Sequence, residues 1–228
     1  GRTVGPMASC KRLSALPSVT EVSDQVDAEL REVLDARELP LYAMMSYHLG
    51  WGSGHGGEEV PVRNERTHGV ACMLAAAASG GELGPITLAA ASVEMVDNFA
   101  QIHDDVQSGR PTRDGRDTVW WVWGPAQAIN AGDGLHALAR ISMFRLQERG
   151  VAPAITFRAL QFLDEASLDL CEGRFQDLEA QERLDLGLAG YLAMVEQKTG
   201  ALMSCAMKVG ALAASADEPV IEAMGVCG

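Results

Sequence analysis

At 228 residues, with 47% hydrophobic and 21% charged side chains, the chain is long and apolar enough to bury a sizeable core, which excludes a disordered polypeptide. A net charge of −13 with only 18 lysines and arginines, none of them in a basic run, excludes a nucleic-acid backbone as partner, because nothing displaces its counterions. An acidic chain that handles an anionic ligand needs a local device, such as a bound metal ion.

Residues 1–6, ahead of Met7, are set aside as a remnant, and 1–19 are read as a tail. From 20 to 38, Val22, Val26, Leu30 and Leu34 recur at helical spacing behind Ser18 and Thr20, two candidate caps. Five glycines between Gly50 and Gly57, followed by Pro61, make a loop. An Ala/Leu/Met-rich helix follows over 63–79, and Gly80, Gly81, Gly84 and Pro85 separate it from the next, 86–107. Gly109 to Gly115 is a second loop. Further periodic segments run over 125–148, 153–183, 185–213 and 218–226, punctuated by Gly150, Pro153 and the stretch 185–187. The segment 187–214 is apolar nearly all round, which predicts a central helix enclosed by neighbours. Alternating β-branched runs are almost absent, so the predicted fold is an all-α helical bundle, one domain over 20–228.

Five scattered cysteines without CxxC or Cys/His spacing read as reduced thiols. No run of about 18 apolar residues and no leader pattern is present, so a cytoplasmic chain without stable membrane insertion is expected.

The chemistry concentrates on segment 86–107. Asp97, Gln101, Asp104 and Ser108 follow one another at four, three and four residues, with Asp105 alongside, so one polar stripe runs down an apolar helix. A solvated face is the ordinary explanation of such a stripe. Here Val93, Met95, Val96, Phe99 and Ile102 leave little width for one, which favours a cavity wall. Two neighbouring carboxylates without Cys, and with His103 turned elsewhere on the helix, suit a hard cation such as Mg2+ that keeps waters and binds phosphates.

Asn98 to Gln107 with its Asp104-Asp105 pair, then Gly109-Arg-Pro-Thr-Arg-Asp-Gly-Arg116, Thr118-Val-Trp120, Trp123-Gly124 and Gln127 to Asp133, resembles the trans-isoprenyl diphosphate synthases, or polyprenyl synthetases. Glu172-Gly173 with Asp177-Leu178, and Lys198-Thr199, match in order and spacing. The resemblance implies an isoprenoid synthase-type helical bundle in which Mg2+ held by aspartates grips the diphosphate of an allylic prenyl diphosphate, stabilising the charge of the leaving group. Carried over by position, Asp104 and Asp105 are catalytic metal ligands, Asp177 a further metal ligand, and Arg113, Lys198 and Arg174 diphosphate donors. Phe99 and Ala100 border the hydrocarbon pocket. A homodimer is implied as well.

Departures from the pattern bear on the reaction. The family's Gly-Lys-Arg-x-Arg-Pro segment falls on Asn64 to Gly69, with Glu65 and His68 at cationic positions. Asp97 stands where a basic or amide residue is usual, and Asp114 where the loop has a second arginine. Like charges about 4 Å apart repel by ~4 kcal/mol at an effective dielectric near 20, so these acids disfavour a second diphosphate. Ser108 replaces the third aspartate of the motif, and Arg174 replaces a glutamine. The chain ends at Gly228, where the family's helix with the second aspartate-rich motif is expected to begin, so the bundle is read as lacking its C-terminal helices. Three readings follow. A terpene synthase ionising one allylic diphosphate, with a cyclised or eliminated product, comes first. The alternatives are a trans-prenyltransferase condensing an allylic diphosphate with isopentenyl diphosphate, and a non-catalytic regulatory subunit of a prenyltransferase. Packing is the preferred use of at least two of Trp120, Trp121 and Trp123, with cation stabilisation the other.

Overall fold

The computed structural model describes residues 16–52, 65–181 and 187–228. The remnant assigned to residues 1–6, most of the glycine-rich loop and Asn64 lie outside these residues. Helix α1 (Val19–Asp35) starts on a capping box: the Ser18 side chain accepts from the Glu21 N–H and the Glu21 carboxylate accepts from the Ser18 N–H. Its apolar face buries Val22, Val26, Leu30 and Leu34. Next come α2 (Pro40–His48), with proline in its first turn, α3 (Thr67–Ala78) and the 25-residue α4 (Leu83–Gln107).

Helix α4 is the axis of the bundle. Ala89, Ala90 and Ala91 are fully buried, and such small side chains let α3, α6 (Pro125–Phe144) and α9 (Ala201–Ala213) pack closely on it. After α4 the chain forms a two-stranded hairpin, β1 (Thr112–Arg113) and β2 (Arg116–Asp117), and the short helix α5 (Val119–Trp123). The 29-residue α7 (Pro153–Gln181) follows α6 and a 3-10 turn, Arg145–Arg149. Then come α8 (Leu188–Val195), a π-helical turn Glu196–Gly200, α9, and α10 (Glu218–Cys227). Arg149 donates to both Glu29 carboxylate oxygens, at 2.6 and 2.7 Å, and to Thr87 at 3.0 Å, tying α1, α4 and the 3-10 turn across the core.

The fold is all-α, as the patterning predicts. The segment 187–214 differs from expectation. Only its second half is enclosed: Leu202, Val209 and Leu212 are buried, whereas Leu188, Tyr191 and Leu192 are exposed. The π turn divides the two, shifting side-chain phase by the extra residue it inserts. An all-apolar surface shows that burial is affordable; it does not say which neighbour supplies it.

Candidate active site

Helices α4 and α7 and the π turn meet around a cleft of about 160 Å³, lined by His68, Asp97, Gln101, Asp104, Arg113, Arg174, Lys198 and Thr199, with Ala100, Leu170 and Leu202 as its apolar wall. Below the ~300 Å³ of a typical whole-ligand pocket, it is of head-group size. Gly173 sets the spacing. A Cβ there would lie 2.8 Å from the Lys198 Cα and nearer still to its amide nitrogen, so only glycine lets the α7 backbone touch the π turn. That contact brings Lys198 Nζ to 2.6 Å from Asp177 Oδ2. Arg174, one residue on, places its Nη1 2.5 Å from Asp104 Oδ1 and 3.5 Å from Asp177 Oδ2.

The hairpin delivers the next cation. Asp114 and Gly115 both have positive φ, 49° and 77°, the geometry that an Asp-Gly pair accepts in a two-residue hairpin turn. Aspartate at the position of the second loop arginine is compatible with this turn. Arg113, on β1, donates its Nε to both Asp105 oxygens at 3.1 Å and its Nη2 to Asp105 Oδ1 at 2.7 Å. Asp105 is only 2% exposed at the side chain, and burial raises its carboxyl above the usual carboxylate range, against the pull of Arg113. Arg110 approaches Asp104 at 3.7 Å and Asp105 at 3.9 Å. The loop is pinned by Thr118, whose hydroxyl donates to the Arg110 and Pro111 carbonyls, and by the Trp120 indole N–H, which donates to the Arg110 carbonyl. Ser108, in place of the third aspartate, is exposed and donates its hydroxyl back to the Asp104 carbonyl at 2.6 Å.

The other end of the cleft has different chemistry. Asp97 Oδ2 lies 3.5 Å from His68 Nδ1 and accepts from Gln101 Nε2 at 2.7 Å. Burial pulls the His68 imidazole down but Asp97 outweighs it, so its pKa is raised; for Asp97 burial pushes up and His68 outweighs it, so its carboxyl is lowered. Beneath them Glu94 accepts from the Gly69 N–H at 3.0 Å, and burial together with Asp97 raises its pKa. Gly69 admits this approach because a Cβ would stand 2.8 Å from Val26 Cγ1. His48 is half-buried, its Nε2 sealed from solvent and lacking a hydrogen-bond partner; desolvation, reinforced by the positive charge of Arg113, pushes it down to about 3. Arg66, at the retained arginine of the departed segment, is 2% exposed and donates to Asp27 at 2.6 and 3.0 Å and to the Leu49 carbonyl at 2.7 Å, while its Nη1 is buried without a hydrogen-bond partner. Glu65 is exposed.

Asp104, Asp105, Asp177, Arg113, Arg174 and Lys198, picked from the sequence, are thus brought together. Ala100 lines the same cleft. The Phe99 ring packs on His103 and His136, 4.7 and 5.0 Å between centroids, toward α6 rather than among the lining residues. Trp123 packs edge-on to Tyr47 and Trp120 edge-on to Trp121. The sequence reading does not single out Arg110 as a partner of the aspartates, nor the pairing of His68 with Asp97. The two substituted positions were visible, but their contact depends on how α3 lies against α4. The oxygen donors of Asp104, Asp105 and Asp177 fit Mg2+ by chemical type. Among the described residues no three acidic, His or Cys side chains are gathered about one point, because cations stand between them.

These features define the all-helical isoprenoid synthase fold, with acids and cations converging at one end of a helical cleft. The chain belongs to the polyprenyl synthetase family, whose model matches residues 63–228. It is 38% identical over 195 residues to a geranylgeranyl diphosphate synthase of Mycobacterium tuberculosis, covering 86% of this chain and 55% of the relative. It is 34% identical over 212 residues to a (2E,6E)-farnesyl diphosphate synthase of the same organism, covering 92% and 57%. The solved polyprenyl synthetase from Streptomyces coelicolor A3(2) superposes with a TM-score of 0.82 at 32% identity, over 93% of this chain and 61% of that one. A geranylgeranyl pyrophosphate synthetase from Geoglobus acetivorans gives 0.79 at 30% identity, over 90% and 63%. The chain therefore spans little more than half the length of these curated relatives. No helix among the described residues is long and apolar enough to cross a membrane.

Proposed function

We propose that this chain carries the allylic-diphosphate half of a Mg2+-dependent trans-prenyltransferase, which elongates an allylic prenyl diphosphate with isopentenyl diphosphate. The observation that carries it is the convergence of Asp104, Arg113, Arg174 and Lys198 on one cleft, with Asp105 and Asp177 ion-paired to these cations beside it. The naming of the relatives as geranylgeranyl and farnesyl diphosphate synthases supports elongation over the terpene-synthase reading that the sequence alone puts first. Asp104, Asp105 and Asp177 would hold Mg2+, which when bound supplies electrostatic stabilisation to the departing diphosphate. Arg113, Lys198 and Arg174 bind the same group with charge-assisted hydrogen bonds. Ala100, on the apolar wall of the cleft, borders the hydrocarbon tail. A cytoplasmic homodimer completes the proposal; Phe144 and Phe157, paired edge-on and exposed on α6 and α7, are suited to an interface.

A second reading, ionisation of one allylic diphosphate to a terpene product, is favoured by one specific observation. The place of the second diphosphate's cations is taken by Asp97, paired with His68 and held by Gln101. One experiment separates the two. The longest native form of the protein is incubated with Mg2+ and an allylic diphosphate, with and without isopentenyl diphosphate. A longer prenyl diphosphate made only with both substrates is the expected result; hydrocarbon or alcohol released from the allylic substrate alone would replace elongation with the second reading.

A further inference from the structure

Arg174 is one of four cations around three carboxylates. Asp104, Asp105 and Asp177 are met by Arg110, Arg113, Arg174 and Lys198, so the cluster holds one more cation than acid in a chain whose overall charge is −13. Three of these cations touch carboxylates on one side of the cleft only. Arg174 alone among the four contacts both Asp104 on α4 and Asp177 on α7, through the same Nη1 atom, at 2.5 and 3.5 Å. It is fixed there twice over. Asp177 lies three residues further along α7, on the same helical face, and the neighbouring Gly173 locks the α7 backbone against Lys198. The side chain is 16% exposed and Asp104 17%, so solvent screens the contact weakly.

A single positive centre shared by carboxylates of two facing helices is the position a bridging divalent ion takes between hard oxygen donors. A guanidinium there does not leave by losing its proton, since arginine stays charged throughout the accessible pH range. An ion entering between Asp104 and Asp177 has to expel it. We infer that Arg174 replaces one divalent cation as the bridge between Asp104 and Asp177, so that the diphosphate site assembles with one metal ion fewer than its carboxylates would otherwise recruit. The inference rests on the metal-assisted diphosphate chemistry proposed above. Arg174 acts here as a positioning residue that holds the two helices' carboxylates in register. Its nearest approach to each of them is through one nitrogen of a guanidinium that carries five N–H donors.

The test counts metal ions rather than turnover. Purified protein saturated with inorganic pyrophosphate is titrated with Mn2+, and bound ions per chain are read by electron paramagnetic resonance of free Mn2+ and by calorimetry. Circular dichroism melts establish that each variant is folded. Arg174→Gln is expected to bind one more Mn2+ per chain than the wild type. Arg174→Lys, which keeps the charge, is expected to keep the wild-type number while binding pyrophosphate several-fold more weakly. Equal counts in wild type and Arg174→Gln overturn the bridge and leave the proposed reaction standing. A wild type that binds no Mn2+ with pyrophosphate present overturns both.

Discussion

The two ends of the cleft are about equally rich in acids but treat them in opposite ways. At the Asp104–Asp105 end every carboxylate is met by a guanidinium or ammonium group drawn from another element: the hairpin, α7 or the π turn. At the Asp97–Glu94 end the neutralising groups are an imidazole, an amide and a backbone N–H, which are weaker or titratable. A diphosphate that arrives with its own cation can displace the first set of pairs and then occupy their donors. At the second end no permanent cation is in direct contact with the acids, and Arg66 acts on Glu94 only from a distance. The difference teaches that anion binding depends on which permanent charges the tertiary fold sends to a place, not on how many acids stand there.

The comparison breaks most completely at Asp104. Asp104→Ala leaves Arg174 and Arg113 without one of their partners and removes a proposed metal donor, and we expect diphosphate release to fall roughly 10²–10³-fold; turnover near wild type would show that the chemistry lies elsewhere. The contrast is sharpened by converting the poor end into a rich one. Asp97→Gln combined with His68→Arg returns an amide and a permanent cation, and the KM for isopentenyl diphosphate should drop by about tenfold or more, ~1.4 kcal/mol. An unchanged KM would mean that the second diphosphate does not visit this end.

Gly173→Ala probes the packing beneath the rich end. Its Cβ collides with the Lys198 backbone, so we expect a loss of ~1–3 kcal/mol from overpacking, seen as a lower thermal midpoint together with a raised KM for the allylic substrate. A variant that is destabilised but binds normally would separate packing from positioning.

The smallest effect lies at His48. The unfolded chain takes up a proton near pH 6.5, and the desolvated imidazole refuses it until about 3. Its neutral form therefore contributes nothing differential below 3 and its full share above 6.5, and stability is lost as pH falls across that interval. In His48→Gln, denaturant titrations from pH 7 to 4 should show a shallower acid loss than wild type; identical slopes would remove His48 from the account.

Much of this was legible in order of locality. Ser18 as a cap, the apolar face of α1 and the stripe of Asp97, Gln101 and Asp104 are patterns within one turn or a few, and periodicity exposes them. The Asp114-Gly115 turn also carries a local signal, readable as a hairpin rather than a plain loop. The halves of segment 187–214 were not separable, because both are apolar and only the neighbours differ.

Sequence alone determined most of the long helices, though not α2 or α5, together with the adjacent acids at the end of α4 and the matching motifs on α7 and the π turn, since each depends on residues close together in the chain. Only the tertiary structure decided that Arg174 stands between Asp104 and Asp177, that Arg113 closes on Asp105, and that Asp97 faces His68 instead of an open anion site. The physical reason is that an ion pair forms where two backbones bring its members within a few ångströms, and here that distance is set by helix crossings, by a glycine that admits a close approach and by one hairpin turn.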